Sequence, residues 1–545
     1  MAKTENTQKP AEVQSDHHER LVRIGMVNDI QKAGWKPYAG RFERNRSTRE
    51  VIDFVEKNTP RSADEVFAGA TKNISVAGRI MAFREHGKIA FANIQDASGE
   101  LQICFKQDVL GTEKFAQIIT LVNLGDFIGV SGEPFITKQG KLALLCADFS
   151  FLSKTLRPLP DKFHGLSDVE IRYRQRYLDL VANKETFERF VTRSKIVQGL
   201  REYLLKKDFL EIQTRTLQPQ AGGAMAETFK THHRALDTSF TLRIAPELDL
   251  KMAIAGGFER VFEFAINFRN EGIDPSHLQE FQMLEWYCAY ENFETGMKWT
   301  EEMLRDVLTK ATGKTVFTVY DKEDKAHDID ISKPFKRVTF AELLKTKGVD
   351  MFADKKTLLA QAKEFGLRVE ELEKRSRANI LDEIYKKTIR PTLVEPIFVT
   401  HYPADLVPLA RTLDEDPRIA ESYQLLVSGW EIVKGYSELV DPIKQRKAFE
   451  DQAKAKKEGD VEAMEVNEEY LTAMEHGMPP VTGFGMGIER LVTLFTGQKN
   501  LRDVVLFPLM KNEDVSNKKT PVATPEKSKK LSSGTKFINK LFRKK

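Results

Sequence analysis

The chain has 545 residues, 41% of them apolar and 30% charged, with a formal net charge of +4. That is too long for one hydrophobic core and, at roughly 150 residues per domain, suggests three or four units. No apolar run reaches the ~18 residues of a membrane span, the N-terminus lacks the apolar core of a signal peptide, and the isolated Cys104, Cys146 and Cys288 argue against a zinc site or disulfide framework and suit a reducing cytoplasm.

In chain order, residues 1–65 read as an N-terminal extension, disordered to about residue 18 and then forming short helices such as EVIDFVEKN. Residues 66–152 carry five short β runs, ISVAGRIMAF, KIAFANIQDA, ELQICFK, DFIGVSGEPFIT and KLALLCADFSFL, separated by Gly, Asp and Ser. Five strands in so short a span predict a small barrel of the oligonucleotide-binding kind. Basic residues at its turns and Phe91 on a strand suit single-stranded nucleic acid, although a strand phenylalanine is usually a core residue. Residues 153–180 form a polar connector that turns helical. Residues 181–510 mix helices and β runs irregularly, so the fold class is α+β. An amphipathic helix is expected over Phe187–Lys207, and charged helices over Glu370–Lys387 and Gln445–Glu475. Neither GxxxxGK[ST] nor GxGxxG occurs in a βαβ setting, so a nucleotide-binding parallel sheet is not indicated. Residues 511–545 form a basic tail with eleven Lys/Arg against three Asp/Glu, which leaves the preceding 510 residues at about −4. Its composition predicts disorder. Its end, KFINKLFRKK, could hold phosphates or merely solubilise.

The most informative stretch is NFRNEGIDPSHLQEFQMLEWY, Asn267–Tyr287. Two alternating apolar runs flank a loop of turn residues, which predicts a long antiparallel hairpin. Phe281, Met283, Glu285 and Tyr287 share one face of the second run, and Arg269 and Glu271 share one face of the first. Buried carboxylates are costly unless paired. One arginine facing two acids therefore indicates either a structural ion cluster or a site that awaits a charged ligand.

FRNEGIDPSHLQEF resembles motif 2 of the class II aminoacyl-tRNA synthetases, and GFGMGIERL, Gly483–Leu491, resembles their motif 3. Within that class the chain is similar to the lysyl-tRNA synthetase family through RPLPDKFHGL, YRQRYLDL, THHRALDT, LRIAPEL, GGFERVFE, YSEL and EHGMPPVTGFGMGIER; the tail after Lys511 lies outside the resemblance. The resemblance implies an N-terminal anticodon-binding OB-fold barrel and an antiparallel catalytic sheet flanked by helices. It also implies a homodimer, and a reaction in which lysine and ATP give lysyl-adenylate before transfer to tRNA(Lys). Carried over residue by residue, Arg269 and Arg490 hold the reacting phosphates, and Glu271, His277, Phe281 and Glu431 surround ATP. Gly223, Glu247, Arg269, Glu285, Tyr287, Lys434, Tyr436 and Glu438 surround lysine. Magnesium falls to Glu431, Glu438 and Gln424, and the anticodon to Phe91, Gln102 and Arg79.

Several positions depart from the family pattern. Lys434 stands where relatives carry Asn, and Gln424 where they carry a metal-binding Glu, so the second ligand brings no charge. Lys434 also falls on the strand face of Tyr436 and Glu438, where a cation would repel the substrate ammonium, occupy its carboxylates or help beside the substrate carboxylate, unless a local bulge turns it to solvent. Asp249 replaces an aromatic, Arg215 a proline, Ala226–Phe229 reads AETF in place of ARPF, and Lys141 replaces a glutamate in the barrel. Alternatives to a lysine-specific enzyme are a shifted amino-acid substrate and a non-catalytic tRNA-binding paralogue. The lysine reading requires that the acids are not already neutralised by the protein's own cations.

Overall fold

The computed structural model describes residues 10–57, 74–160 and 166–512, apart from 225, 273, 322 and 458–464. The chain forms two compact units. One runs to Arg172 and takes in Tyr177–Lys184; the other comprises Tyr173–Arg176 and resumes at Glu185. A helix spans Pro10–Lys32, where the sequence reads as disordered to about residue 18. Proline opens that helix at no cost, because the first helical N–H has no partner in any case. The basic tail from residue 513, with KFINKLFRKK, lies outside the described residues.

In the first unit the five β runs close into a barrel in the order Ile74–His86, Ile89–Gln95, Glu100–Lys106, Leu142–Ser153 and Phe127–Ile136. Alternation sends Ala90, Ala92 and Ile94 inward, where they meet buried Leu101, Ile103 and Phe105.

The second unit is built on an eight-stranded sheet in the order Lys336–Thr339, Ile397–Thr400, Ser422–Val427, Trp430–Ser437, Val481–Gly487, Glu280–Ala289, Arg260–Phe268 and Leu210–Glu211. The six inner strands are antiparallel, and each edge strand joins in parallel. Period two gives this sheet one apolar face. Phe262, Leu284, Trp286, Phe484 and Met486 are buried there, with Trp286 stacked on Phe484 at 5.2 Å between ring centroids. The helix Phe293–Thr312 brings Met297, Met303, Leu304 and Leu308 to the same core. Asn292 caps its first turn by accepting from the Thr295 N–H, and Gly313 ends it with φ 71°.

The amphipathic helix expected over Phe187–Lys207 spans Lys184–Leu205. The charged stretches are divided more finely than their composition suggests. Glu370–Lys387 resolves into helices Val369–Leu372 and Arg377–Thr388, because Ser376 caps a new start by accepting from the Asn379 N–H. Gln445–Glu475 resolves into Pro442–Lys457 and Glu468–Glu475, the second capped by Asn467.

Candidate active site

The other face of the sheet is lined for chemistry. The hairpin pairs Arg260–Phe268 with Glu280–Ala289 and sets Glu263 opposite Glu285. The neighbouring strand Val481–Gly487 then places Gly485 opposite Glu285 and Gly483 opposite Tyr287. On its far side the same glycines face Lys434 and Tyr436. GFGMG therefore alternates Phe484 and Met486 into the core with bare backbone on the functional face. A side chain at Gly483 would collide with Glu438 and Tyr287. The glycine stripe and the two acid-bearing strands on either side of it line a cavity of about 440 Å³.

All the expected ATP- and lysine-site residues line this cavity: Gly223, Glu247, Arg269, Glu271, His277, Phe281, Glu285, Tyr287, Glu431, Lys434, Tyr436, Glu438 and Arg490. Gly223 enters with φ +82°, and a Cβ there would press on Glu247 Cβ at 2.8 Å, so glycine is required twice over. Glu271 departs from the expectation of burial. The strand ends at Phe268, and Glu271 and His277 stand exposed on the loop at the cavity mouth. The His277 ring bonds Asp274 at 2.8 Å.

At the inner end, Glu285 and Glu438 are 3% and 2% exposed. The Tyr287 hydroxyl donates to Glu285 at 3.1 Å, and the Tyr436 hydroxyl donates to Glu247 at 2.6 Å. Burial, followed by the nearby Glu247 charge, pushes the Glu285 carboxyl up to about 8. Burial likewise raises Glu438 well above the carboxylate range. The sequence reading missed a residue here. Lys251, fully buried, donates to Glu247 at 2.6 Å and pairs with Glu438. Three tyrosine rings, Tyr436, Tyr287 and Tyr470, surround it at 5.4, 5.8 and 5.9 Å. Burial pulls the Lys251 ammonium down, but Glu247 and Glu438 outweigh it and hold its pKa above the usual lysine range. The signal was present in the sequence, since Glu247 and Lys251 are four apart on the helix Glu247–Ala255.

Lys251 thus meets part of the condition that would leave no vacancy, but not all of it. Three carboxylates share one ammonium. Lys251 stands behind them and does not line the cavity. Glu438 Oε1 is buried without a hydrogen-bond partner. An orphaned buried acceptor costs about 1–3 kcal/mol, and a cationic guest in the cavity would remove that cost.

The outer end is cationic. Arg269 lies 5.0 Å from the Phe281 ring, and its buried Nε has no partner. Arg490 Nη1 donates to the Glu431 carbonyl at 3.2 Å. Burial would raise the Glu431 carboxyl, but Arg390, Arg490, Lys434 and Lys386 together hold it below its usual value. Arg390 approaches it to 3.7 Å.

The magnesium set needs correction. Gln424 does not line the cavity, and its Oε1 accepts from the Tyr402 hydroxyl at 3.0 Å. Glu438 is taken by Lys251, which leaves Glu431 among cations. No group of three His, Cys, Asp or Glu suited to a metal occurs among the described residues. The donor chemistry does not fit a resident divalent ion.

Two further departures turn out to be one. Arg215 pairs with Asp249 at 2.7 Å and with Glu469 at 3.0 Å, which braces the helix that carries Glu247 and Lys251.

On the barrel, Phe91 pairs with Cys104 and Asn93 with Gln102, so Phe91 and Gln102 share the outer face on adjacent strands. Phe91 lies half-buried beside Phe135 and Ala143. Arg79 is engaged elsewhere. It donates to the Gly125 carbonyl at 3.2 Å and lies 4.2 Å from the Phe127 ring. The exposed residue in register with Phe91 is Arg84.

The family described as tRNA synthetases class II (D, K and N) matches residues 168–511, and the OB-fold nucleic acid binding domain matches 74–152. Lysine–tRNA ligase of Carboxydothermus hydrogenoformans is 42% identical over 90% of this chain and 98% of its own length. That of Lactococcus lactis subsp. lactis is 42% identical over 92% and 100%. That of Dechloromonas aromatica is 41% identical over 93% and 100%.

Proposed function

The chain belongs to the class II tRNA synthetases (D, K and N), and we infer that it is a lysine–tRNA ligase, which joins lysine and ATP as lysyl-adenylate and transfers the lysyl group to the 3′ end of tRNA(Lys). The observation that carries this reading is the inner end of the cavity, where Glu247 and Glu438 share one lysine, Glu285 stands beside them with only the Tyr287 hydroxyl, and a buried Glu438 oxygen is left open. The substrate ε-ammonium fits between Glu285 and Glu438. An amino acid without that amine leaves Glu438 Oε1 without a donor and Glu285 with only the Tyr287 hydroxyl, a discrimination of roughly 1–3 kcal/mol or more.

The substrate carboxylate lies toward Arg269, whose planar fork suits carboxylate and phosphate oxygens alike. Attack by that carboxylate on the α-phosphorus expels pyrophosphate, so no enzyme nucleophile is needed. The residues contribute position and charge. Phe281 offers its ring to the adenine, with Glu271 and His277 at the rim, and Arg490 faces the leaving phosphates. Magnesium enters this reading only as the counter-ion that ATP carries.

Phe91 and Gln102 offer a stacking ring and a base-edge amide to the anticodon. A homodimer is supported by the apolar side chains Phe187, Val191, Leu205, Leu210, Leu217 and Phe258, all exposed in the single chain. A cytoplasmic location is supported by three free, buried cysteines; no helix among the described residues is long and apolar enough to cross a membrane. A shifted amino-acid substrate and a non-catalytic paralogue are not favoured, since the acids and both arginines are in place and the similar proteins carry the lysine-specific name over nearly their whole length.

Pyrophosphate exchange measured across the amino acids tests the reading. Lysine is expected to drive exchange at least a hundredfold better than leucine or methionine. A better rate with any other amino acid, or none with lysine, would overturn it.

A further inference from the structure

The outer end of the cavity holds a cation that its neighbours do not explain. Lys434 lines the cavity, and its side chain has no hydrogen bond or ion pair among the described residues. Its strand bulges between the registers of Glu431 and Val433, and that irregularity brings Glu431 and Lys434, three apart, to the same cavity. Lys386 projects into the cavity from the helix Arg377–Thr388, steadied by Asp382 at 2.6 Å, with its side chain still 47% exposed. Arg269 and Arg490 line the same cavity. Two carboxylates meet this cluster: Glu431, which Arg390 also approaches to 3.7 Å, and Asp382, which pairs with Lys386 itself. Glu489 also lines the cavity, but it is bound by Arg193 at 2.7 Å and by the Gln282 N–H at 2.9 Å. Gln424, across the sheet from Lys434, spends its oxygen on Tyr402.

Such an arrangement has the charge and geometry to hold a polyphosphate and lacks the oxygen donors of a cation cage. We propose that Lys434 and Lys386 neutralise the β- and γ-phosphates of ATP directly, so that this enzyme holds ATP without a resident divalent ion. The assignment rests on the ATP-dependent reading above and deepens it. It also gives Lys434 a place. Its charge bears on Glu431, at the phosphate end, and it is one glycine-bearing strand away from Glu285. Adjacent strands are about 4.8 Å apart, so roughly 10 Å of backbone separate the two.

The test is equilibrium binding of ATP to the full chain by calorimetry, without lysine, in magnesium and in excess EDTA at matched ionic strength. The wild-type Kd is expected to change less than threefold between the two. Lys434→Asn and Lys386→Gln should each weaken metal-free binding about tenfold, and Lys434→Arg should keep the wild-type behaviour. A structural role would lower the melting temperature and leave the magnesium dependence unchanged. Loss of wild-type ATP binding by tenfold or more in EDTA, or lysine variants that bind as the wild type does, would overturn the assignment. Metal-free ATP binding together with absent lysine-dependent exchange would sink the functional reading and leave the phosphate assignment standing.

Discussion

At the inner end of the cavity three carboxylates share one lysine, and at the outer end one carboxylate faces four cations. The inner groups are nearly all closed to water, with Glu285, Glu438 and Lys251 at 3%, 2% and 0% exposure. The outer groups open toward the mouth, where Glu271 and His277 are exposed. An unpaired charge costs far more at the first end than at the second, because solvent screens the second. The departures from the family pattern follow that difference. Lys434 falls at the outer end, and Gln424 is its register partner on the next strand, outside the cavity lining. Arg215 and Asp249, on the helix side of the inner end, pair with each other. Selection of the amino acid depends on desolvation and tolerates little change, whereas the grip on the nucleotide depends on summed charge and can be rearranged.

Removing the shared cation tests this contrast most severely. Lys251→Met leaves Glu247 and Glu438 facing each other in a buried site with no counter-charge. Breaking a buried pair from one side costs about 3–5 kcal/mol. The expected result is a fall in stability of that order in a urea titration at alkaline pH, partly recovered as the pH falls through the raised Glu438 pKa and that carboxylate takes up a proton. A change below about 1 kcal/mol would mean that the inner end is wet, and the contrast would disappear.

The next effect is on pH. In the ligand-free cavity Glu285 is pushed up to about 8 by burial, so below that pH it holds a proton. A substrate ammonium favours the carboxylate, so binding must release that proton. Lysine affinity should therefore rise with pH and level off near 8, with about a tenfold loss for each unit below it. Calorimetry in buffers of different ionisation enthalpy checks both the slope and the proton release. Glu285→Gln should weaken binding and flatten the profile. A flat wild-type profile would place Glu285 in its ordinary range and remove desolvation as the source of selectivity.

Which parts of this were legible in the sequence follows from the same physics. Period two along Phe281–Tyr287 and Lys434–Glu438 separated the cavity face from the core face, since a strand's alternation is local. The barrel was legible for the same reason. Glu271 was misplaced because nothing local says that the strand stops at Phe268. The contact of Gln424 with Tyr402 was not legible, because that partner is brought to it only by the fold. Lys251 was half legible. Its spacing from Glu247 was available, but its contact with Glu438 joins distant segments. The glycines of GFGMG were visible as a motif, but their purpose, clearance for Glu438 and Tyr287, appears only once three strands are in register.

The smallest expected effect belongs to Arg215. It braces the outer side of the helix Glu247–Ala255, but its side chain is 42% exposed and Glu469 is 57% exposed. Ion pairs of that kind contribute about 0.2–1 kcal/mol each. Arg215→Ala should cost less than about 1 kcal/mol in stability and change the KM for lysine by less than about twofold. A double-mutant cycle with Asp249→Ala should return a coupling of similar size. The inner end is held by contacts that do not involve Arg215: Tyr436 on Glu247, and Lys251 between Glu247 and Glu438. A tenfold rise in KM on losing Arg215 would show that the buried acids depend on the solvent-side brace for their position. The inner end could then no longer be treated as a self-contained, water-excluded unit.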